Sequence, residues 1–73
     1  MAPARVSNNL RKQRFAAGEM TQQELGDRVG VTRQTIAAIE SQKHSPSLEL
    51  AFQIAEVFGL ELTELFSYDG DQD

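Results

Sequence analysis

Gln34 carries an amide whose donor and acceptor can engage the edge of an adenine base at two points, and it opens an apolar-periodic run from Arg33 to Glu40. That chemistry is recognition by hydrogen bonding, with no covalent bond made or broken. Bond-making chemistry has little to work with here, since the 73 residues include one histidine, His44, and no cysteine. A nucleophile needs a base with its own orienting partner, and a metal site needs several ligands. The expectation is no catalysis, no metal and no cofactor. The lack of cysteine also removes disulfides and fits a reducing cytoplasm.

Gln34 needs a rigid element to present it, and capping signals mark one on either side of a short turn. Thr21 followed by Glu24 has the spacing of a capping box, with Met20 and Leu25 placed as its hydrophobic staple. Gly30 stops that helix after about two turns. Thr32 can cap the next one, with Val31 and Ile36 as a second staple. Two helices joined by Gly30 to Thr32 form a helix-turn-helix pattern over residues 21–40. At about 100° per residue, with Ile36 set at zero, Ile39 falls at about −60° and Glu40 at about 40°. Gln34, Ala37, Ala38 and Ser41 gather on the other side, which is polar or very small. Such a side lets a helix backbone press into a groove; an ordinary solvent-facing side is the alternative. Arg33 at the helix N-terminus is opposed by the dipole by about 0.3 to 1 kcal/mol, and a bound phosphate or guanine reverses that penalty.

The remaining pattern is also helical. Ser7 to Ala17 reads as a first helix with Val6, Leu10 and Phe15 as its apolar positions, ended by Gly18. After the loop Gln42 to Ser47, Ser47 caps a helix over Leu48 to Phe58. Its residues Leu50, Ala51, Ile54, Ala55 and Phe58 form one stripe. Gly59 stops it, and Leu62, Leu65 and Phe66 make a last helical turn. No β pattern of comparable quality is visible, so the expected fold is all-α with five helices. Residues 1–5 read as a flexible arm, 6–68 as the domain and 69–73 as an acidic tail.

Composition narrows the class further. Seventy-three residues allow a single domain, and the 40% apolar content is enough to fold it. No apolar run approaches a membrane span, and Met1 to Arg5 lacks a signal-peptide core. The net charge of −4 conceals a bipole: residues 1–47 hold all seven basic residues against four acidic ones, a balance of +3, whereas residues 48–73 carry seven acidic residues and no base. One half of the chain can therefore meet an anion. A domain this small with no disulfide is stabilised by tight packing or by a partner chain, which favours a dimer.

The stretch MTQQELGDRVGVTRQTIAAIE from Met20 to Glu40, the run Ser45-Pro46-Ser47-Leu48 and the segment LAFQIAEVFGLELTELF together resemble the DNA-binding domains of the Cro and phage-repressor type, the xenobiotic response element family of bacterial regulators. The likeness runs from about Asn9 to Phe66 and implies a phage-repressor-like helical fold in a minimal, single-domain member. It implies contacts with double-stranded operator DNA for Gln22, Thr32, Arg33, Gln34, Thr35, Ala38, Lys43 and His44. Gln22 would hold a phosphate and brace the recognition helix, and Lys43 and His44 would lie against phosphates. Arg14 and Glu40 match a structural ion pair between the first and third helices. Against the family pattern, Arg14 to Gln22 is one residue longer. Gly26 replaces a customary alanine at roughly 1 kcal/mol in helix propensity, and Glu61 stands where a Ser or Thr cap is common.

The resulting expectation is a cytoplasmic, sequence-specific regulator, a homodimer reading a palindrome with half-sites about 34 Å apart. It has no membrane association and no evident small-molecule ligand. The alternative is a protein-interaction module working through the acidic C-terminal half. Leu60, Leu62, Leu65, Phe66 and Tyr68 crowd into nine residues. On the expectation that they cannot all face one small core, Leu62, Leu65, Phe66 and Tyr68 are assigned to the dimer interface.

Overall fold

Three hydroxyl side chains set where helices begin. Thr21 Oγ1 accepts the Glu24 N–H at 3.0 Å while Glu24 Oε1 accepts the Thr21 N–H at 2.8 Å, a complete capping box. Thr32 Oγ1 accepts from Thr35 N at 3.2 Å, and Ser47 Oγ from Leu50 N at 3.1 Å. In the computed structural model, which describes residues 5–68, the helices are α1 (Leu10–Ala16), α2 (Gln22–Val29), α3 (Arg33–Glu40), α4 (Leu48–Phe58) and α5 (Leu62–Leu65). At α5, Glu61 replaces a hydroxyl cap, yet its N–H is held by the Glu64 carboxylate at 2.8 Å. Residues 69–73, the expected acidic tail, and residues 1–4 of the expected arm lie outside the described residues.

The all-α expectation needs correcting by one small element. β1 (Val6–Asn8) and β2 (Phe66–Tyr68) pair antiparallel, with Val6 opposite Tyr68 and Asn8 opposite Phe66. The first helix therefore starts at Leu10 rather than Ser7. Asn8 fixes that change: its Oδ1 accepts the Leu10 N–H at 3.1 Å, and its Nδ2 donates to the Ile39 carbonyl at 2.9 Å, tying β1 to the end of α3.

The core takes residues from every helix, Leu10, Leu25, Ile36, Ile39, Ala51, Ile54, Ala55 and Leu65, together with Met20 before α2 and Phe66 of β2. Leu65 and Phe66, assigned from sequence to a dimer interface, are thus interior residues of this chain. Leu65 is the buried residue of α5, and Phe66 is buried where β2 pairs with β1, a long-range effect that local crowding does not reveal. Leu60 and Leu62 pack half-buried against the same core, and of the five only Tyr68 is well exposed. Phe15, expected among the apolar positions of α1, is 51% exposed.

Gly26 explains its own departure from alanine. A Cβ there would stand 2.7 Å from the Val31 carbonyl oxygen and 3.3 Å from Thr32 backbone atoms, so the turn between α2 and α3 rests directly on the helix backbone. Close packing outweighs the loss of helix propensity. Gly30 completes the turn at φ 76°.

Candidate nucleic-acid interface

The two sides of α3 differ in kind. Ile36 and Ile39 are sealed in the core, whereas Thr32, Arg33, Gln34 and Ser41 are exposed and Thr35, Ala37 and Ala38 half-exposed. Five of the expected contact residues, Thr32, Arg33, Gln34, Thr35 and Ala38, thus come together on one short element. The Thr32 and Thr35 hydroxyls lie 3.1 Å apart across its first turn.

Glu40 anchors this helix from behind. Arg14 on α1 donates to it through Nε at 2.6 Å and Nη2 at 3.0 Å, a bidentate pair with both side chains largely buried. A third donor, Arg14 Nη1, reaches the Met20 carbonyl at 2.7 Å. Charge-assisted, two-point geometry of this kind fixes orientation as well as distance. Gln22 completes the network by donating from Nε2 to Glu40 Oε1 at 3.2 Å, so the start of α2 is tied to the end of α3.

The extra residue between Arg14 and Gln22 is absorbed without disturbing this network. Gly18 and Glu19 both take positive φ, 87° and 57°, and the Met20 N–H returns to the Arg14 carbonyl at 2.9 Å. Met20 is thereby held where Arg14 can reach its carbonyl.

Beyond α3 the chain leaves through a left-handed reversal at Gln42, φ 62°. Lys43 N donates to Ala38 O at 2.9 Å and Gln42 N to Ile39 O at 3.1 Å, the two bonds of a Schellman ending. Lys43 and His44 follow directly and are exposed. Backbone bonding holds this loop against the end of α3, so Lys43 and His44 lie next to that helix without being part of it.

Of the four residues expected to meet a second copy, Leu62, Phe66 and Tyr68 stand together away from α3, and Leu65 is in the core. Val6, Pro46, Leu48, Leu62, Phe66 and Tyr68 border an apolar depression that shares no residue with α3. Leu48 is 66% and Tyr68 70% exposed there. No helix among the described residues is long and apolar enough to cross a membrane.

Two features of the site escaped the sequence reading. Arg11 and Phe15 line a depression with Gln22, Gln23 and Arg33, beside the start of α3. The four-residue spacing of Arg11 and Phe15, which puts them on one helical face, was the available signal.

Comparison with known proteins agrees with this geometry. A family model described as helix-turn-helix matches residues 5–65. The chain is 45% identical over 67 residues, 92% of its length and the whole of the relative's, to an uncharacterized HTH-type transcriptional regulator of Methanocaldococcus jannaschii. It is 41% identical over 61 residues, 84% of its length and 91% of the relative's, to another from Bacillus subtilis. Among solved structures it resembles the restriction-modification controller protein C.AhdI of Aeromonas hydrophila, with TM-score 0.68 and 27% identity, covering 75% of this chain and 78% of that one. A chain from Bacteroides fragilis shares the fold at TM-score 0.73 and 24% identity, covering 85% and 98%. The chain belongs to the Cro and phage-repressor type of helix-turn-helix DNA-binding transcriptional regulators.

Proposed function

We propose that this protein is a sequence-specific regulator that binds double-stranded DNA as a homodimer, laying one α3 into each of two major grooves of a palindromic operator. The observation that carries the reading is α3 itself. Its outward side is small and polar, Arg33 and Gln34 stand exposed in its first turn, and its inward side is locked by Arg14, Gln22 and Glu40. A base-reading helix requires both properties, because a misplaced amide loses paired hydrogen bonds.

In this reading Gln34 contacts a base edge, with Arg33, Thr35 and Ala38 at neighbouring bases or phosphates. Thr32, Gln22, Lys43 and His44 hold the backbone and set the register. The acidic C-terminal half as a docking module has weaker support, since the relatives are named as transcriptional regulators. Cytoplasmic residence follows from the proposed target.

For the homodimer, the apolar depression beside Leu48 and Tyr68 is the surface that supports a second copy. Leu62 and Phe66 line the same depression, whereas Leu65 is a core residue that does not. Sedimentation of the parent and of Tyr68→Asp separates the cases: a parent that is monomeric at tens of micromolar, or a substituted protein that is still dimeric, refutes this interface.

Selection of binding sites from random duplexes with the purified protein tests the function directly. A two-fold symmetric motif is the expected outcome. Recovery of no motif, with binding that does not weaken as salt rises, overturns the reading.

A further inference from the structure

Phe15 is an anomaly that neither the core nor the recognition helix accounts for. It is 51% exposed on a seven-residue helix, and although Phe52 on α4 is as exposed at 54%, only Phe15 has guanidiniums over its ring among the described residues. Two guanidiniums flank its ring, that of Arg11 at 5.4 Å and that of Arg14 at 5.5 Å from the centroid. The two cations differ. Arg14 is consumed by Glu40 and the Met20 carbonyl, whereas Arg11 is exposed and forms no ion pair among the described residues.

The surroundings give this arrangement a direction. One depression is lined by Arg11, Lys12 and Phe15 together with Gln22, Ala37 and Ser41. A second joins Arg11 and Phe15 to Gln23 and Arg33. Ala37 and Ser41 belong to the outward side of α3, so α1 borders the proposed DNA-facing surface along its flank. Glu40 is the acidic residue lining both depressions, and Arg14 neutralises it. Arg11, Lys12 and Arg33 are left as an uncompensated positive rim, a surface suited to a row of phosphates.

Resting on the DNA-binding reading above, we propose that Arg11 is a backbone-phosphate contact of this protein, and that Phe15 is a positioning residue holding the Arg11 guanidinium at the edge of the groove. Lys12 adds a second, less constrained charge beside it. A guanidinium lying against a ring has part of its rotamer freedom already removed, so it loses less on meeting a phosphate. The ring is exposed because its partner must reach out of the protein. These contacts set register and affinity and read no sequence.

Salt titrations of the full chain, using a labelled random duplex and the selected operator, test the proposal. Arg11→Ala should weaken both duplexes by the same factor and flatten the plot of log affinity against log salt by about one per subunit. Arg11→Lys should keep the slope. Phe15→Leu should cost about two- to fivefold in affinity with the slope retained, Phe15→Tyr should restore it, and Phe15→Leu should cost nothing further once Arg11 is alanine. Thermal melts matching the parent show that each variant folds. Arg11→Ala with the parental slope, in a protein where Lys43→Ala flattens it, overturns the proposal and leaves the DNA reading standing. A Phe15→Leu loss that is undiminished in the Arg11→Ala background overturns the positioning role. A parent that binds no duplex at low salt overturns both readings together.

Discussion

The inward and outward sides of α3 lie about half a turn apart on one helix and follow opposite rules. Inward, Glu40 accepts from Arg14 twice and from Gln22 once, and almost nothing there meets water. Outward, Gln34 and Arg33 have no partner of this kind among the described residues and stand exposed. A satisfied buried network rigidifies, whereas an exposed donor set is free to pair with something else. The same eight residues hold the fold on one side and, in the proposed reading, meet DNA on the other. The two roles can therefore be separated by substitution.

The largest effect is expected on the inward side. Glu40→Ala leaves the Arg14 guanidinium buried without its carboxylate, which costs about 3 to 5 kcal/mol of unfolding free energy. Urea unfolding measures it, and replacing both residues with apolar ones should recover much of the loss. A cost below 1 kcal/mol in ~150 mM salt would place the pair among surface bridges and erase the contrast.

Next in size is Gly26→Ala. The added Cβ meets the Val31 carbonyl at 2.7 Å, and overpacking against backbone costs about 1 to 3 kcal/mol, more than the helix propensity gained. Because the turn would shift, DNA affinity should fall along with melting temperature. A variant as stable as the parent shows that the turn yields, and that the separation of α2 from α3 is not held by this contact.

The outward side should respond without any change in folding. Gln34→Ala is expected to lose about 1 to 3 kcal/mol of discrimination at one base pair per half-site, with unfolding unaltered within about 0.5 kcal/mol. Competition with single-base operator variants reads the first quantity and urea the second. Uniform loss across all duplexes would remove Gln34 from the base-reading role.

Smallest is Lys43→Ala, which should weaken operator and random duplex equally and flatten the salt dependence by about one per subunit. If its loss instead changes which base is preferred, the loop after α3 reads sequence and the boundary between reader and clamp must be redrawn.

Much of this molecule is written in short-range signals. Thr21 with Glu24, Thr32, Ser47, Gly30 and Gly59 mark helix ends by chemistry that acts within four residues, so the limits of α2 and α4 and the start of α3 follow directly from the chain. Helical periodicity likewise turns Glu40 inward and Gln34 outward. The extra residue before Gln22 is visible as a departure from the family spacing, but its accommodation by two left-handed residues at Gly18 and Glu19 is not.

The presence of the five helices, the turn between α2 and α3 and the division of α3 into two sides are legible in the chain, because each depends on neighbours no more than a few residues apart. The start of α1 is not, since β1 takes Ser7. Tertiary structure alone decided the pairing of Val6–Asn8 with Phe66–Tyr68, the burial of Leu65 and Phe66, the need for glycine at position 26 and the exposure of Phe15 beneath Arg11. Three-residue strands are too short to show an alternating pattern, and their partners lie about sixty positions away. Whether a phenylalanine fills the core or supports an arginine depends on which surfaces the other helices have already covered.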